Sequence, residues 1–378
     1  MDLRFASSGA ARRRAARCLA PVAVAALLVS CGGAGPLAPP VTGTRVYVSN
    51  ADSQDLSVYT LDRAAGVLRP LQTVPLGGQA MPMALSPDKR TLYVALRSQP
   101  YRVVSLAIDP ASGMLTPRGE APLTDSMANI DTDATGRWLF AASYGGHKIT
   151  VNSIGADGLP GPVVESLPTA PNAHAVHADA ANRYVFATSL GGDNLSSWKF
   201  DAATGRLTAN DPALTTVAPE KSGPRHFVWD RSQRHLYLLD ELDAALHTME
   251  YDATRGTLRA VQRSTTLPTG FTGMPWGADL HLSPDGRTLY ASERTSSTLS
   301  TFRVDADDGR LTPLGQVPTE KTPRGFAVDS SGRFLVAAGQ DSHSVSLHPL
   351  DPATGVPGTP TRVPAGKNPN WVEIVDLH

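Results

Sequence analysis

The sequence predicts an all-β protein, a seven-bladed β-propeller whose C-terminal strand closes the first blade. One phrase recurs at Arg90-Thr-Leu-Tyr, Arg137-Trp-Leu-Phe, Arg183-Tyr-Val-Phe, Arg234-His-Leu-Tyr, Arg287-Thr-Leu-Tyr and Arg333-Phe-Leu-Val, with a weaker copy at Thr44-Arg-Val-Tyr. The copies lie 46, 47, 46, 51, 53 and 46 residues apart, the length of a four-stranded blade. Apolar residues alternate along each unit and glycine and proline punctuate it, which favours strands over a helical solenoid.

Residues 1–30 read as an export signal. Five arginines precede the apolar run Leu19 to Val29, and Leu28-Val29-Ser30-Cys31 follows. The apolar run is too short to span a bilayer. Its ending resembles a lipobox, which implies cleavage before Cys31, lipid on the Cys31 sulfur and a lipoprotein of the bacterial cell envelope. Residues 31–43, rich in Gly, Pro and Ala, then serve as a tether, and residues 44–378 form the propeller.

Removing residues 1–30 takes away five arginines and one aspartate, so the net charge moves from −1 to −5. No basic patch remains to bind nucleic acid. Cys18 and Cys31 are the chain's two cysteines. The folded part therefore holds no thiol, which excludes disulfides, a cysteine nucleophile and a Cys-based zinc site.

Within each unit the turn comes first, as in Ser86-Pro-Asp-Lys and Ser283-Pro-Asp-Gly, where Asp88 and Asp285 read as turn formers. The Arg phrase follows as the second strand, and an acidic turn ending in Gly-x-Leu lies further on. The first unit lacks its inner strand, and Asn368-Pro-Asn-Trp-Val-Glu-Ile-Val at the C-terminus has that strand's pattern. Closure in this way hides the edges of the ring. A closed ring needs no partner for stability, so a monomer is expected.

Equivalent positions in the repeats occupy equivalent places on the ring. Nine residues before each repeat Arg, at the start of the inner strand, stand Met81, Ala128, His174, Arg225, Ala278 and Arg324, with Asn370 as the counterpart in the closing strand. Seven residues after it stand Arg97, Tyr144, Leu190, Glu241, Arg294 and Gln340. Antiparallel pairing puts both sets on one face. The segment Ser222 to Leu242 reads as a hairpin that carries Arg225 and His226 at one end and Glu241 at the other. Packing does not call for His174, Arg225, His226, Arg324, Glu241 and Arg294 on one rim, and together they mark a candidate site. His177 and His281 are expected to pack between blades.

There is no Gly-x-Ser-x-Gly elbow, His-Glu-x-x-His, Walker loop or dinucleotide fingerprint. Acid–base or electrostatic chemistry on a small anionic ligand is what these residues leave, with no cofactor or metal expected.

The runs Ser86-Pro-Asp-Lys-Arg-Thr-Leu-Tyr-Val, Ser222-Gly-Pro-Arg-His, Asp240-Glu-Leu, Ala278-Asp-Leu-His-Leu-Ser-Pro-Asp-Gly-Arg, Glu293-Arg-Thr, Thr322-Pro-Arg-Gly-Phe and Ala337-Ala-Gly-Gln-Asp-Ser-His resemble the seven-bladed propeller type of bacterial 6-phosphogluconolactonase. The resemblance runs from about Thr44 to the C-terminus. It implies metal-free hydrolysis of a sugar 1,5-lactone, either 6-phosphogluconolactone or gluconolactone. The family also includes fungal enzymes acting on carboxymuconate lactones, whose proposed catalysts are a histidine and a glutamate with arginines as anion binders. By resemblance those roles fall on His174 and Glu241, on Arg225 and Arg294, and on Arg324 in the matching Pro-Arg-Gly. Either Glu241 or His174 then acts as the base toward water, and the other as proton donor to the ring oxygen. An export signal departs from the cytosolic pattern of such enzymes and favours the unphosphorylated lactone. Two other readings stand beside this one: a metal-dependent lactonase using Glu241, Asp279 and Asn129 as oxygen ligands, and a non-catalytic envelope propeller that binds a partner.

Overall fold

The computed structural model describes residues 42–216 and 220–378. The predicted leader, Cys31 and the tether up to residue 41 lie outside the described residues. Seven four-stranded antiparallel sheets make up the domain. The first sheet has the closing strand Pro369–Leu377 as its innermost member, paired with Gly43–Asn50, as the repeat pattern predicts. No helix among the described residues is long and apolar enough to cross a membrane.

The recurring phrase has a mechanical meaning. Its acidic neighbour ties the turn: Asp133 accepts from the backbone N–H of Arg137 and Trp138, and Asp179 does the same for Arg183 and Tyr184. Its arginine reaches into the next blade, where the guanidinium groups of Arg137, Arg183 and Arg234 donate to the carbonyls of Ala202, Ala253 and Ala306. Its tyrosine does likewise. The hydroxyls of Tyr47, Tyr93, Tyr237 and Tyr290 donate at 2.8–2.9 Å to the carbonyls of Gly113, Gly158, Gly309 and Gly355 in the following blade. The glycine is required there. At Gly113 φ is +66° and a Cβ would stand 2.3 Å from the Arg45 side chain, so both conformation and space exclude a side chain.

Between every two neighbouring blades the alternating strand faces bury an apolar cluster. Tyr237, Leu239, Leu280 and Phe302, for instance, fill the boundary between the fifth and sixth blades, each at most 1 % exposed. Each such side chain contributes about 1.5–3 kcal/mol by leaving water. These boundaries set the blades rigidly around a channel lined by the inner strands.

Candidate functional site

The inner strands are Ala80–Leu85, Met127–Thr132, Ala173–Ala178, Pro224–Trp229, Gly277–Leu282, Pro323–Val328 and the closing strand Pro369–Leu377. Each of the seven slips register at its start. Between Pro224 and His226, for example, the inner strand advances two residues while its neighbour advances one, from Asp240 to Leu239. The same extra residue occurs in the other six. A β-bulge of this kind redirects side chains and leaves backbone groups unpaired. Hydroxyls on the second strands take up some of them: Thr188 accepts from Ala175 N–H and donates to the Arg225 carbonyl of the next blade, and Ser49 donates to the Met81 carbonyl. The bulged residue is the ring position read from the repeats. His174, Arg225 and Arg324 thus sit where the backbone turns them out of the ladder at one end of the channel.

Glu241 is the centre of this cluster. Its Oε2 accepts from Arg225 Nε at 2.8 Å and pairs with Arg294 Nη2 at 2.8 Å. Burial works to raise its carboxyl, but the two guanidinium groups outweigh it and hold the carboxyl below the ordinary glutamate range. Arg225 is fully buried and donates through Nη1 to the Ala278 carbonyl of the neighbouring inner strand. Arg294 donates to the carbonyls of Gly277 and Trp276 and lies 4.0 Å from the centre of the Trp276 ring. Burial and the charge of Arg225 lower Arg294 to about 9 despite Glu241.

Arg324 has no such support. It forms no ion pair among the described residues, and its Nε is buried without a hydrogen-bond partner among them. Burial, then repulsion from Arg225, Arg294 and Arg97, pushes it well below the ordinary arginine value. Arg97 is held by Ser126 and Met81 and meets no carboxylate among the described residues. Arg97, Arg225, Arg294 and Arg324 therefore stand within charge range of one another, with Glu241 bonded to two of them and Glu293 also acting on Arg294. His174 lies among them with its Nδ1 sealed and unpartnered among the described residues, its ring edge-on to Tyr144 and His226. Burial and the nearby arginines drive its pKa well down, so the imidazole is neutral at physiological pH.

Five of the six residues read from the sequence, His174, Glu241, Arg225, Arg294 and Arg324, thus come together. His226 stands one step deeper. Its Nδ1 meets Asp279 Oδ1 at 2.8 Å, and its ring touches that of Trp371 at 5.6 Å. Burial and Arg225 lower it to about 3 against the pull of Asp279. Asp279 also accepts from His281 Nε2 at 3.1 Å and from Phe326 N–H.

Below this layer the channel opens into a cavity of about 270 Å³ lined by Asp131, His177, Asp279, His281 and Glu373. His177 and His281 do rest edge-on against Phe227 and Phe326 of the next blade, as packing between blades requires. They also face the lumen, where His177 meets Asp131 at 2.7 Å. Asn129 accepts from Val176 N–H, clipping the third blade to the fourth. Asn129 and Asp279 border the same cavity and Glu241 does not, and no cluster of three His, Cys, Asp or Glu suited to a metal occurs among the described residues. The sequence reading passed over Trp276 and Glu373. The signal for Trp276 was the 53-residue spacing of its unit, which leaves room for a longer loop before that inner strand.

The profile of the lactonase family with a seven-bladed β-propeller matches residues 43–374. The 6-phosphogluconolactonase of Pectobacterium carotovorum subsp. carotovorum is 41 % identical over 333 residues, covering 88 % of this chain and 98 % of that protein. That of Serratia proteamaculans is 37 % identical over 330 residues, covering 87 % and 98 %. Among solved structures, the periplasmic gluconolactonase of Pseudomonas aeruginosa superposes with a TM-score of 0.84 at 29 % identity, covering 89 % of this chain and all of that one. The repeats, the bulged ring and these matches agree, and the chain belongs to the seven-bladed β-propeller lactonase family.

Proposed function

We propose that the arginine cluster at the bulged end of the channel binds a sugar 1,5-lactone, 6-phosphogluconolactone or gluconolactone, and that His174 directs its hydrolysis. The observation that carries this reading is the charge imbalance: four guanidinium groups gather against Glu241 and Glu293, and Arg324 is without a partner among the described residues. A buried cation left unpaired is costly, and an anionic group or a developing oxyanion relieves that cost. The lumen beneath carries Asp131, Asp279 and Glu373 and repels the same ligand, so the substrate belongs at the arginine end.

Of the two candidate bases, the geometry favours His174. Glu241 is ionised, with two guanidinium groups on one oxygen, so it is a poor proton donor and its basicity is spent on holding Arg225 and Arg294 in place. His174 is neutral and takes a proton from water as the water oxygen bonds to the lactone carbonyl carbon. The carbonyl oxygen becomes an oxyanion beside Arg324 and Arg225. As the tetrahedral species collapses, the bond to the ring oxygen breaks and the proton on His174 passes to that oxygen, giving the open-chain hydroxy acid. The oxyanion that develops on the lactone carbonyl offsets the arginine charges that depress His174, so its basicity rises as the tetrahedral species forms, and the phosphate of 6-phosphogluconolactone would add to this.

The export signal and the periplasmic neighbour from Pseudomonas aeruginosa support a place in the cell envelope, with the lipid on Cys31 as anchor. Unphosphorylated gluconolactone is then the substrate expected to be met.

The test is hydrolysis of both lactones by the purified protein, corrected for spontaneous opening, beside His174→Ala and Glu241→Ala. Rate enhancement that vanishes in His174→Ala is expected. Full activity in a variant lacking both side chains overturns the assignment.

A further inference from the structure

We propose that Trp276, flanked by Met274, forms a sugar-stacking subsite beside the arginine cluster and fixes how tightly the lactone ring is held. This rests on the lactonase reading above and adds the residues that would meet the uncharged body of the substrate.

Six large apolar side chains are exposed among the described residues, and three of them, Leu242, Met274 and Trp276, border the segments that carry Glu241 and Arg294. Leu242 follows Glu241 in the chain. Trp276 accepts from Arg294 twice through its carbonyl, from backbone N–H and from Nε. Met274 and Trp276 stand 84 % and 42 % exposed. Scattered apolar residues need no explanation, but a group beside a charged site does.

These residues sit on the connection between strands Thr257–Thr265 and Gly277–Leu282, residues 266–276. It is eleven residues long, against four in five of the other connections that lead into an inner strand. Both ends of the connection are held. Thr266 donates to the Ala244 carbonyl, Ser300 donates to the Thr266 carbonyl, and Trp276 N–H donates to Glu293 Oε1 at 2.6 Å. One face of the indole lies on Arg294 at 4.0 Å, and Arg294 in turn bonds Glu241. The indole is thus one guanidinium away from the cluster, pre-positioned, with exposed ring surface remaining.

A sugar lactone presents hydroxyls at its edge and C–H groups on its faces. An aromatic plane fixed beside cationic donors matches both kinds of surface, because the ring offers rigid apolar area and the guanidinium groups take the oxygen atoms. Trp276 is therefore a substrate-positioning residue for a pyranose-derived lactone, with Met274 as an adaptable flank.

The experiment is steady-state kinetics of wild type, Trp276→Ala and Trp276→Phe on gluconolactone, with intrinsic fluorescence titrated by gluconolactone and by gluconate. Loss of one stacking contact predicts KM rising about tenfold in Trp276→Ala while kcat falls less than threefold, and Trp276→Phe restoring most of the loss. A saturable fluorescence change in wild type should vanish in Trp276→Phe. A KM in Trp276→Ala within twofold of wild type overturns the subsite, and so does a loss confined to kcat, which would leave Trp276 as a support for Arg294 alone. If wild type opens neither lactone, the lactonase reading fails. The titration still decides the subsite, with a missing signal overturning it.

Discussion

The two ends of the channel are built from the same seven strands and carry opposite charge. At the bulged end, Arg97, Arg225, Arg294 and Arg324 surround Glu241. One to three residues past the ring position on the same strands, Asp131, Asp279 and Glu373 line the lumen with His177 and His281. His226 and Trp371, in edge contact, stand between them. Arg225 and Arg324 lie where the bulge breaks the ladder, Asp131 and Glu373 lie where it is regular again, and Asp279 still falls within the register slip of its strand. Every lumen acid named has a donor: Asp131 has His177, Asp279 has His226 and His281, and Glu373 has the Trp371 indole N–H. The arginine end does not balance itself in this way. An imbalance left standing at one end, beside a balanced set at the other, is what the proposed ligand site rests on.

Breaking the balanced part of the arginine end should have the largest effect. Arg225→Ala leaves Glu241 with Arg294 alone and removes the donor to the Ala278 carbonyl. Losing one partner of a buried ion pair predicts a stability loss of about 3–5 kcal/mol, read by urea unfolding. Activity should fall about 10²–10³-fold. Arg324→Gln should separate the two quantities, because Arg324 has no partner to abandon. Activity falls about 10–10²-fold, while stability stays level or rises as a buried, repelled charge is removed. If Arg324→Gln destabilises as much as Arg225→Ala, the contrast between a paired and an unpaired cation is wrong.

The fold was legible because its repeats are mechanical. The phrase arginine in the third to fifth blades and the tyrosine in the first, second, fifth and sixth bond across six blade boundaries, so one or the other recurs from unit to unit. The ring of site residues was legible for the opposite reason. His174, Arg225 and Arg324 break the repeat at a position that Ala128 and Ala278 fill with nothing chemical. What could not be read was depth. His226 follows Arg225 directly, and strand alternation sends one of two neighbours away from the channel. The bulge cancels that alternation, and counting along a strand does not reveal a bulge. Asp279 was read only as a metal ligand and not as the partner of His226 and His281, and Glu373 was hidden because the charges that act on it stand on other blades. Trp276 lies outside the repeat altogether, in extra length that the register does not align.

Within the lumen, Asp279→Asn tests whether the acids balance the histidines. Asp279 takes hydrogen bonds from His226 and His281 and from two backbone N–H groups. An amide of the same shape keeps some of these bonds and loses the charge. The expected cost is about 1–3 kcal/mol of stability. The raised pKa of His281, which survives burial chiefly because of Asp279 with Glu373 adding to it, should fall toward or below the ordinary histidine value, a shift that NMR titration of the imidazole reads directly. An unchanged His281 titration would show that the aspartate is not what holds it.

The smallest effect is the most specific to the lumen. Burial raises Glu373 from 4.5 to about 7, although the Trp371 bond and His281 pull the other way. A carboxyl whose folded pKa lies above its unfolded one binds protons more tightly in the native state, so stability falls as pH rises from about 4.5 to about 7 and stays reduced above that. His281, raised by Asp279, has the same sign, since its contribution is present at low pH and lost as pH passes its folded pKa. Glu373→Gln removes the first of these titrations. The variant should match wild type near pH 4.5 and exceed it by about 1–2 kcal/mol at pH 8, allowing for partial solvent access. Unfolding by urea at both pH values reads the difference. At the arginine end Glu241, held ionised by Arg225 and Arg294, adds no slope of this sign, and His174, lowered by burial and the arginines, gives the opposite one, with stability rising as pH climbs toward the ordinary histidine value. A pH-independent difference between Glu373→Gln and wild type would therefore remove the lumen carboxylate from the balance and leave the contrast between the two ends resting on Asp131 and Asp279.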